Sequence, residues 1–88
     1  MQREREVLVI YDISDTRTRN RIVDACKDYG LERFQYSAFR GVLTRNKAEE
    51  LWERIMEEVE EKRGRVLMVR LCEEDARTLK AWERWDED

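Results

Sequence analysis

Asp12 is the side chain in this sequence with the most to explain. It follows Val7-Leu8-Val9-Ile10-Tyr11, an unbroken apolar and aromatic run, and Ile13 comes directly after it. A carboxylate inside such a run is costly unless a hydrogen-bond network, a cation or a metal ion compensates it. Carboxylate oxygen and water suit a hard divalent cation such as Mg2+. One carboxylate per chain makes a poor magnesium site, and two brought together across a two-fold axis make a better one. The chain contains no histidine, which excludes His-based general acid–base catalysis, Ser-His triads and His-ligated zinc. Chemistry is left to carboxylates, Arg, Lys, Ser, Thr, Tyr or a bound metal.

The other polar candidates have simpler explanations beside the functional one. Ser14 and Asp15 are N-cap residue types, and a helix beginning near Thr16 explains Asp15 better than metal ligation does. Arg17, Arg19 and Arg21 would form either a solvated helix face or a phosphate-contacting surface at an end that already attracts anions. Tyr11, Phe34, Tyr36 and Phe39 read as core or interface aromatics; base stacking of the RRM kind lacks its signature. Ser37 can donate to a phosphate or carboxylate, but no base stands beside it to make it a nucleophile.

The positioning elements follow from periodicity. Residues 7–13 read as a strand apolar on both faces. Ile22, Val23, Cys26 and Tyr29 make one helical stripe, stopped at Gly30. Residues 31–37 and 38–44 alternate as two adjacent strands, with Gly41 marking a bulge or a close backbone approach. Asn46 with Glu49 resembles a capping box for a helix carrying Ala48, Leu51, Trp52, Ile55, Met56 and Val59, which Gly64 is expected to end. That helix is acidic on its outer face, a solubilising surface or a protein-docking one. Arg65 to Leu71 is a second strand apolar on both faces, and the tail from Glu73 forms a helical turn, then helix or strand. The order β-α-β-β-α-β predicts an α+β, ferredoxin-like sandwich: an antiparallel sheet with both helices on one face. Its doubly apolar strands call for a cover on the other face, and a second copy of the sheet is the simplest one. Trp82 and Trp85 are too large to leave exposed without reason, and packing on a partner subunit explains them.

Size and charge bound the rest. Eighty-eight residues make one small domain, with a core of about 6–72 and a dimer-packing tail of about 73–88. The net charge of −3 hides an asymmetry: residues 1–47 balance at +3 and residues 48–88 at −6. Indiscriminate nucleic-acid binding is disfavoured, but the first half can carry a local basic surface. Cys26 and Cys72 have no metal-ligand spacing and read as reduced thiols. With no secretory signal pattern and no membrane-length apolar run, the expected location is the cytoplasm.

Three segments together resemble a known family, CRISPR-associated protein two, the small adaptation subunit. They are Tyr11-Asp12-Ile13 followed by Asp15 and Arg17, the helix stop Tyr29-Gly30-Leu31, and Gln35-Tyr36-Ser37-Ala38-Phe39 with Gly41. The likeness spans roughly residues 7–72, with the segments in the right order and on the right elements. It implies a homodimer that bridges two integrase dimers and holds duplex DNA during spacer capture. It also implies a metal-dependent endonuclease acting on RNA, single-stranded RNA included, or on DNA; cleavage lost on substituting Asp12 with acquisition intact would mark that activity as dispensable. On that resemblance Asp12 is the catalytic and Mg2+-binding residue, shared with its copy. Arg17, Arg19, Arg21, Gln35 and Ser37 meet nucleic acid, and Tyr11, Phe39, Trp82 and Trp85 belong to the dimer interface. The last strand, roughly 79–85, would pad the partner's sheet. Arg40 stands where many members carry an acid, so a catalytic role for that acid does not transfer. The competing reading is an ACT-like regulatory or ligand-binding domain on the same fold; its glycine-rich loop is missing, since the only glycines are Gly30, Gly41 and Gly64.

Overall fold

The computed structural model describes residues 3–85. The first strand, β1 (Arg5–Ile13), is built largely of β-branched and aliphatic residues and lies inside the sheet. Helix α1 (Thr16–Asp28) follows, then β2 (Glu32–Gln35), β3 (Ala38–Leu43), α2 (Arg45–Val59), β4 (Gly64–Arg70) and a single turn, α3 (Glu73–Ala76). The strands form one antiparallel sheet in the order β2-β3-β1-β4. This is the split βαβ arrangement the element order predicts.

The core lies between the sheet and the two helices. Val7, Val9, Tyr11 and Ile13 of β1 are buried against Ile22, Ala25 and Cys26 of α1 and Ala48, Leu51 and Ile55 of α2. The smallest extent of the molecule is 19 Å, which accommodates a sheet and one helix layer but not a third layer. Large side chains of opposite parity are left open in the single chain: Ile10 is 44%, Val42 52% and Leu67 56% exposed. The expectation that β1 and β4 are buried on both faces thus holds for one face only. The second apolar face is present and largely open, with Leu79, Lys80 and Ala81 of the tail lining a groove beside Leu8 and Ile10 on part of it.

Local chemistry sets the element ends. Asp15 caps α1, its carboxylate accepting from the Thr18 N–H at 2.9 Å and the Thr18 hydroxyl at 2.6 Å. These two bonds hold the Asp15 carboxyl below the usual carboxylate range. The cap of α2 is Thr44, accepting from the Lys47 N–H at 3.2 Å, rather than Asn46. Because β3 ends at Leu43 and the helix begins at Arg45, Thr44, still extended, is the residue placed to cap it. Helix α2 stops at Val59, before Gly64, and Gly64 begins β4 instead. Gly41 is a close approach, as its place in a strand suggests: a Cβ there would sit 2.7 Å from the Leu31 side chain. Beyond α3, residues 77–85 have no regular structure, so neither a helical extension nor a tail strand forms in the chain alone. A lone strand needs a neighbouring edge for its backbone hydrogen bonds.

Candidate functional site

Asp12 is the penultimate residue of β1, and its parity places it on the open side of the sheet, exposed. The carboxylate is therefore not sunk in the core, and the desolvation cost inferred from the apolar run is not incurred in a single chain. It lines a cavity of about 670 Å3 at the end of the β1–β4 ladder, together with Arg19, Tyr36, Ser37, Arg65 and Leu67. Arg65 lies directly across from Asp12 in the antiparallel register.

Three independent elements bring these side chains together. The β2–β3 turn is tied to β1 by two hydrogen bonds: the Tyr11 N–H donates to the Ser37 carbonyl at 3.0 Å, and the Tyr11 hydroxyl donates to the Tyr36 carbonyl at 3.1 Å. Burial pushes the Tyr11 phenol above its ordinary pKa, so the hydroxyl keeps the proton it donates. Helix α1 supplies Arg19, whose guanidinium donates to the Ile13 carbonyl at 3.0 Å and to the Thr16 hydroxyl at 3.4 Å. The same guanidinium lies 5.9 Å from the centre of the Tyr36 ring, within cation–π range. Arg33 approaches Tyr36 equally closely, at 5.9 Å, and also lies 5.4 Å from the Phe39 ring. Strand β4 supplies Arg65 and Leu67.

The expected site residues separate into groups. Asp12, Arg19 and Ser37 meet at the cavity. Arg17 is exposed and outside it, and Arg21 is in an ion pair with Glu58 of α2 at 3.2 Å. Residues two apart on a helix point about 200° from one another, so the three arginines do not share a face. Gln35 is exposed and lines a neighbouring groove with Leu8, Ile10 and Ala38, where Leu79, Lys80 and Ala81 of the tail also lie. Two interface expectations are corrected: Tyr11 and Phe39 are 2% and 0% exposed, packed in the chain's own core and out of reach of a partner. Trp82 and Trp85 are 76% and 79% exposed. Arg40 is paired with Glu6 at 3.1 Å and stacked 5.7 Å from the Phe34 ring.

Arg33 and Arg65 are the residues of this region to which sequence reasoning gave no site role, and Tyr36, read there as a core or interface aromatic, is 70% exposed. Arg65 carries no local signal, since only the pairing of β1 with β4 sets it beside Asp12. As for a metal, Asp12 is the one carboxylate on the cavity wall among the described residues. No three His, Cys, Asp or Glu side chains cluster anywhere among the described residues. Magnesium uses one or two carboxylates and completes its shell with water and phosphate oxygens. One chain's cavity therefore offers one carboxylate to such an ion.

The family model for CRISPR associated protein Cas2 matches residues 5–79, which includes every strand and both long helices. The chain belongs to the Cas2 family. Among curated relatives, a CRISPR-associated endoribonuclease Cas2 of Desulforudis audaxviator is 42% identical over 89% of this chain and 74% of its own length. A Cas2 endoribonuclease of Chloroflexus aurantiacus is 45% identical over 83% of this chain and 82% of its own. A Cas1/endonuclease Cas2 fusion of Thermoproteus tenax is 36% identical over 83% of this chain, which spans 26% of the fusion. A crystal structure titled as Cas2 superposes with a TM-score of 0.68 at 31% identity, covering 77% of this chain and 75% of that one. Streptococcus pyogenes Cas2 superposes at 0.71 with 23% identity, covering 89% and 99%, a likeness of fold. No helix among the described residues of this Cas2 chain is long and apolar enough to cross a membrane.

Proposed function

We propose that this Cas2 chain acts in CRISPR adaptation as a homodimer that bridges integrase dimers and holds duplex DNA. We further propose that Asp12 and its copy form a metal-dependent phosphodiesterase site. The observation that carries the reading is the cavity itself. It joins an exposed carboxylate to two guanidinium groups and a serine, next to an apolar sheet face left open. The relatives support both parts, since two are named endoribonucleases and one is a fusion of Cas1 with Cas2.

The chain's own contributions are electrostatic and positional. Arg19, held by the Ile13 carbonyl and the Tyr36 ring, presents fixed positive charge where a phosphate would gain charge during cleavage. Ser37, half-buried beside Asp12, is placed to donate to a phosphate oxygen. Asp12 from each of two chains would hold Mg2+, which when bound neutralises phosphate charge and acidifies water. Closing the open face of one copy on another would bring the two carboxylates towards each other and cover Ile10 and Leu67. The exposed Trp82 and Trp85 are the tail's candidates for packing on the partner subunit.

The test compares wild-type protein with Asp12→Asn on labelled single-stranded RNA and duplex DNA, with Mg2+ and with chelator, alongside spacer acquisition with the cognate integrase. Cleavage that needs Mg2+ and disappears in Asp12→Asn supports the nuclease site. Acquisition that survives the substitution makes the scaffold the essential role. A chain that neither binds nucleic acid nor associates with the integrase overturns the whole reading.

A further inference from the structure

Asp12 and Arg65 are opposed residues of neighbouring antiparallel strands, on the same side of the sheet and both exposed. Opposite charges at such positions commonly pair and stabilise the sheet. Here neither side chain enters an ion pair or a side-chain hydrogen bond with another described residue, although both line the same cavity. The other cation on that wall is committed: the Arg19 guanidinium already donates to Ile13 and Thr16. Among the described residues no side chain therefore engages the Arg65 guanidinium, and with Arg19 it outnumbers the single carboxylate of Asp12 on that wall. A planar guanidinium with free paired donors matches a phosphate better than any other side chain does. The backbone makes the placement rigid. Gly64 pairs with Ile13, and a Cβ at Gly64 would run into the Asp12 carbonyl, so β4 starts tight against β1 and carries Arg65 with it.

We propose that Arg65 is a phosphate-binding residue of the Asp12 cavity, its guanidinium taking the nucleic-acid phosphate that lies alongside the Asp12 carboxylate. The assignment rests on the nucleic-acid reading above and adds a contact from β4 to those of α1 and the β2–β3 turn. Asp12 and Arg65 then divide the work: the carboxylate stays free for a cation and the guanidinium neutralises the phosphate.

The test measures binding of a labelled DNA duplex and of a single-stranded RNA in chelator, across a range of salt, for wild type, Arg65→Ala, Arg65→Lys and Arg63→Ala. Arg63 is an exposed arginine of the loop before β4 and lies outside the cavity, so its removal subtracts the same charge without the contact. Arg65→Ala is expected to weaken binding about tenfold and to lower the slope of log affinity against log salt by about one. Arg65→Lys is expected to restore the salt slope but only part of the affinity, since an ammonium keeps the charge and loses the paired donors, and Arg63→Ala to lose about twofold or less, as a rim charge would. Equal losses in Arg63→Ala and Arg65→Ala would mean a diffuse charge effect and overturn the assignment. So would wild-type affinity and slope in Arg65→Ala, or a loss traced by light scattering to dissociation of the dimer. Wild-type protein that binds neither nucleic acid would instead bring down the functional reading on which the assignment rests.

Discussion

Gly64 pairs with Ile13 at the start of β4, and a Cβ at Gly64 would collide with the carbonyl oxygen of Asp12. Its φ of 143° is also one that residues with a side chain rarely adopt. Gly64→Ala is therefore expected to destabilise the chain by roughly 1–3 kcal/mol, through backbone strain and overpacking together. Urea unfolding checks the loss. Because the shift falls on the strand that carries Arg65, nucleic-acid affinity should fall in the same variant. Full wild-type stability in Gly64→Ala would show that β4 does not approach β1 this closely.

The α1 cap gives a pH-dependent prediction. The Asp15 carboxyl titrates below its ordinary value of 3.8 because Thr18 donates to it twice. A depressed carboxylate adds stability that is present above the unfolded pKa and is lost as pH falls through the folded one. Asp15→Ala should then be less stable than wild type at neutral pH, and the gap should narrow as the pH drops below about 4. A gap that stays constant down to acid pH would argue against a charged cap.

The two thiols should behave differently. Burial pushes Cys26 up to about 12, whereas Cys72 is exposed. The thiolate is the reactive form, so Ellman's reagent should label Cys72 in the native protein and Cys26 only after unfolding. The raised Cys26 pKa also adds stability that is complete below the unfolded value of 9.0 and is lost as pH rises towards about 12. Two equally fast thiols in the native state would place Cys26 outside the core.

Much of this architecture was legible because its signals are local. The β-branched runs and the helical stripes of Ile22–Cys26 and Ala48–Ile55 each specify one element. What resisted was mostly parity and long-range pairing. Tyr11 shares parity with Val7, Val9 and Ile13, which already puts it on the helix side, yet the family resemblance had drawn it to the interface. Arg17, Arg19 and Arg21 stand two apart, a spacing that cannot hold them on one helix face. Thr44 and Asn46 are both good N-caps, and only the end of β3 at Leu43 decides between them. Arg65 lies far from Asp12 in sequence, and no local pattern announces a neighbour set by strand register.

The open face gives the most consequential prediction. Ile10 and Leu67 are about half exposed in the single chain, beside the cavity that holds Asp12. Leu67 contributes little to the chain's own core, so Leu67→Asp should leave the fold intact. If a second copy covers this face, the substitution buries a charge at the contact and should shift the protein from dimer to monomer in light scattering. Melting then gives an independent check. A dimer's apparent stability rises with protein concentration by mass action, whereas a monomer's does not. Wild-type melting should depend on concentration, and that dependence should vanish in Leu67→Asp. The aspartate also sits on the wall of the Asp12 cavity, so a monomeric Leu67→Asp should bind nucleic acid less well than wild type through both repulsion and loss of the second chain. A wild-type protein that elutes as a monomer and melts at one temperature across a hundredfold range of concentration would leave the open face without a second copy, and Asp12 without its partner carboxylate.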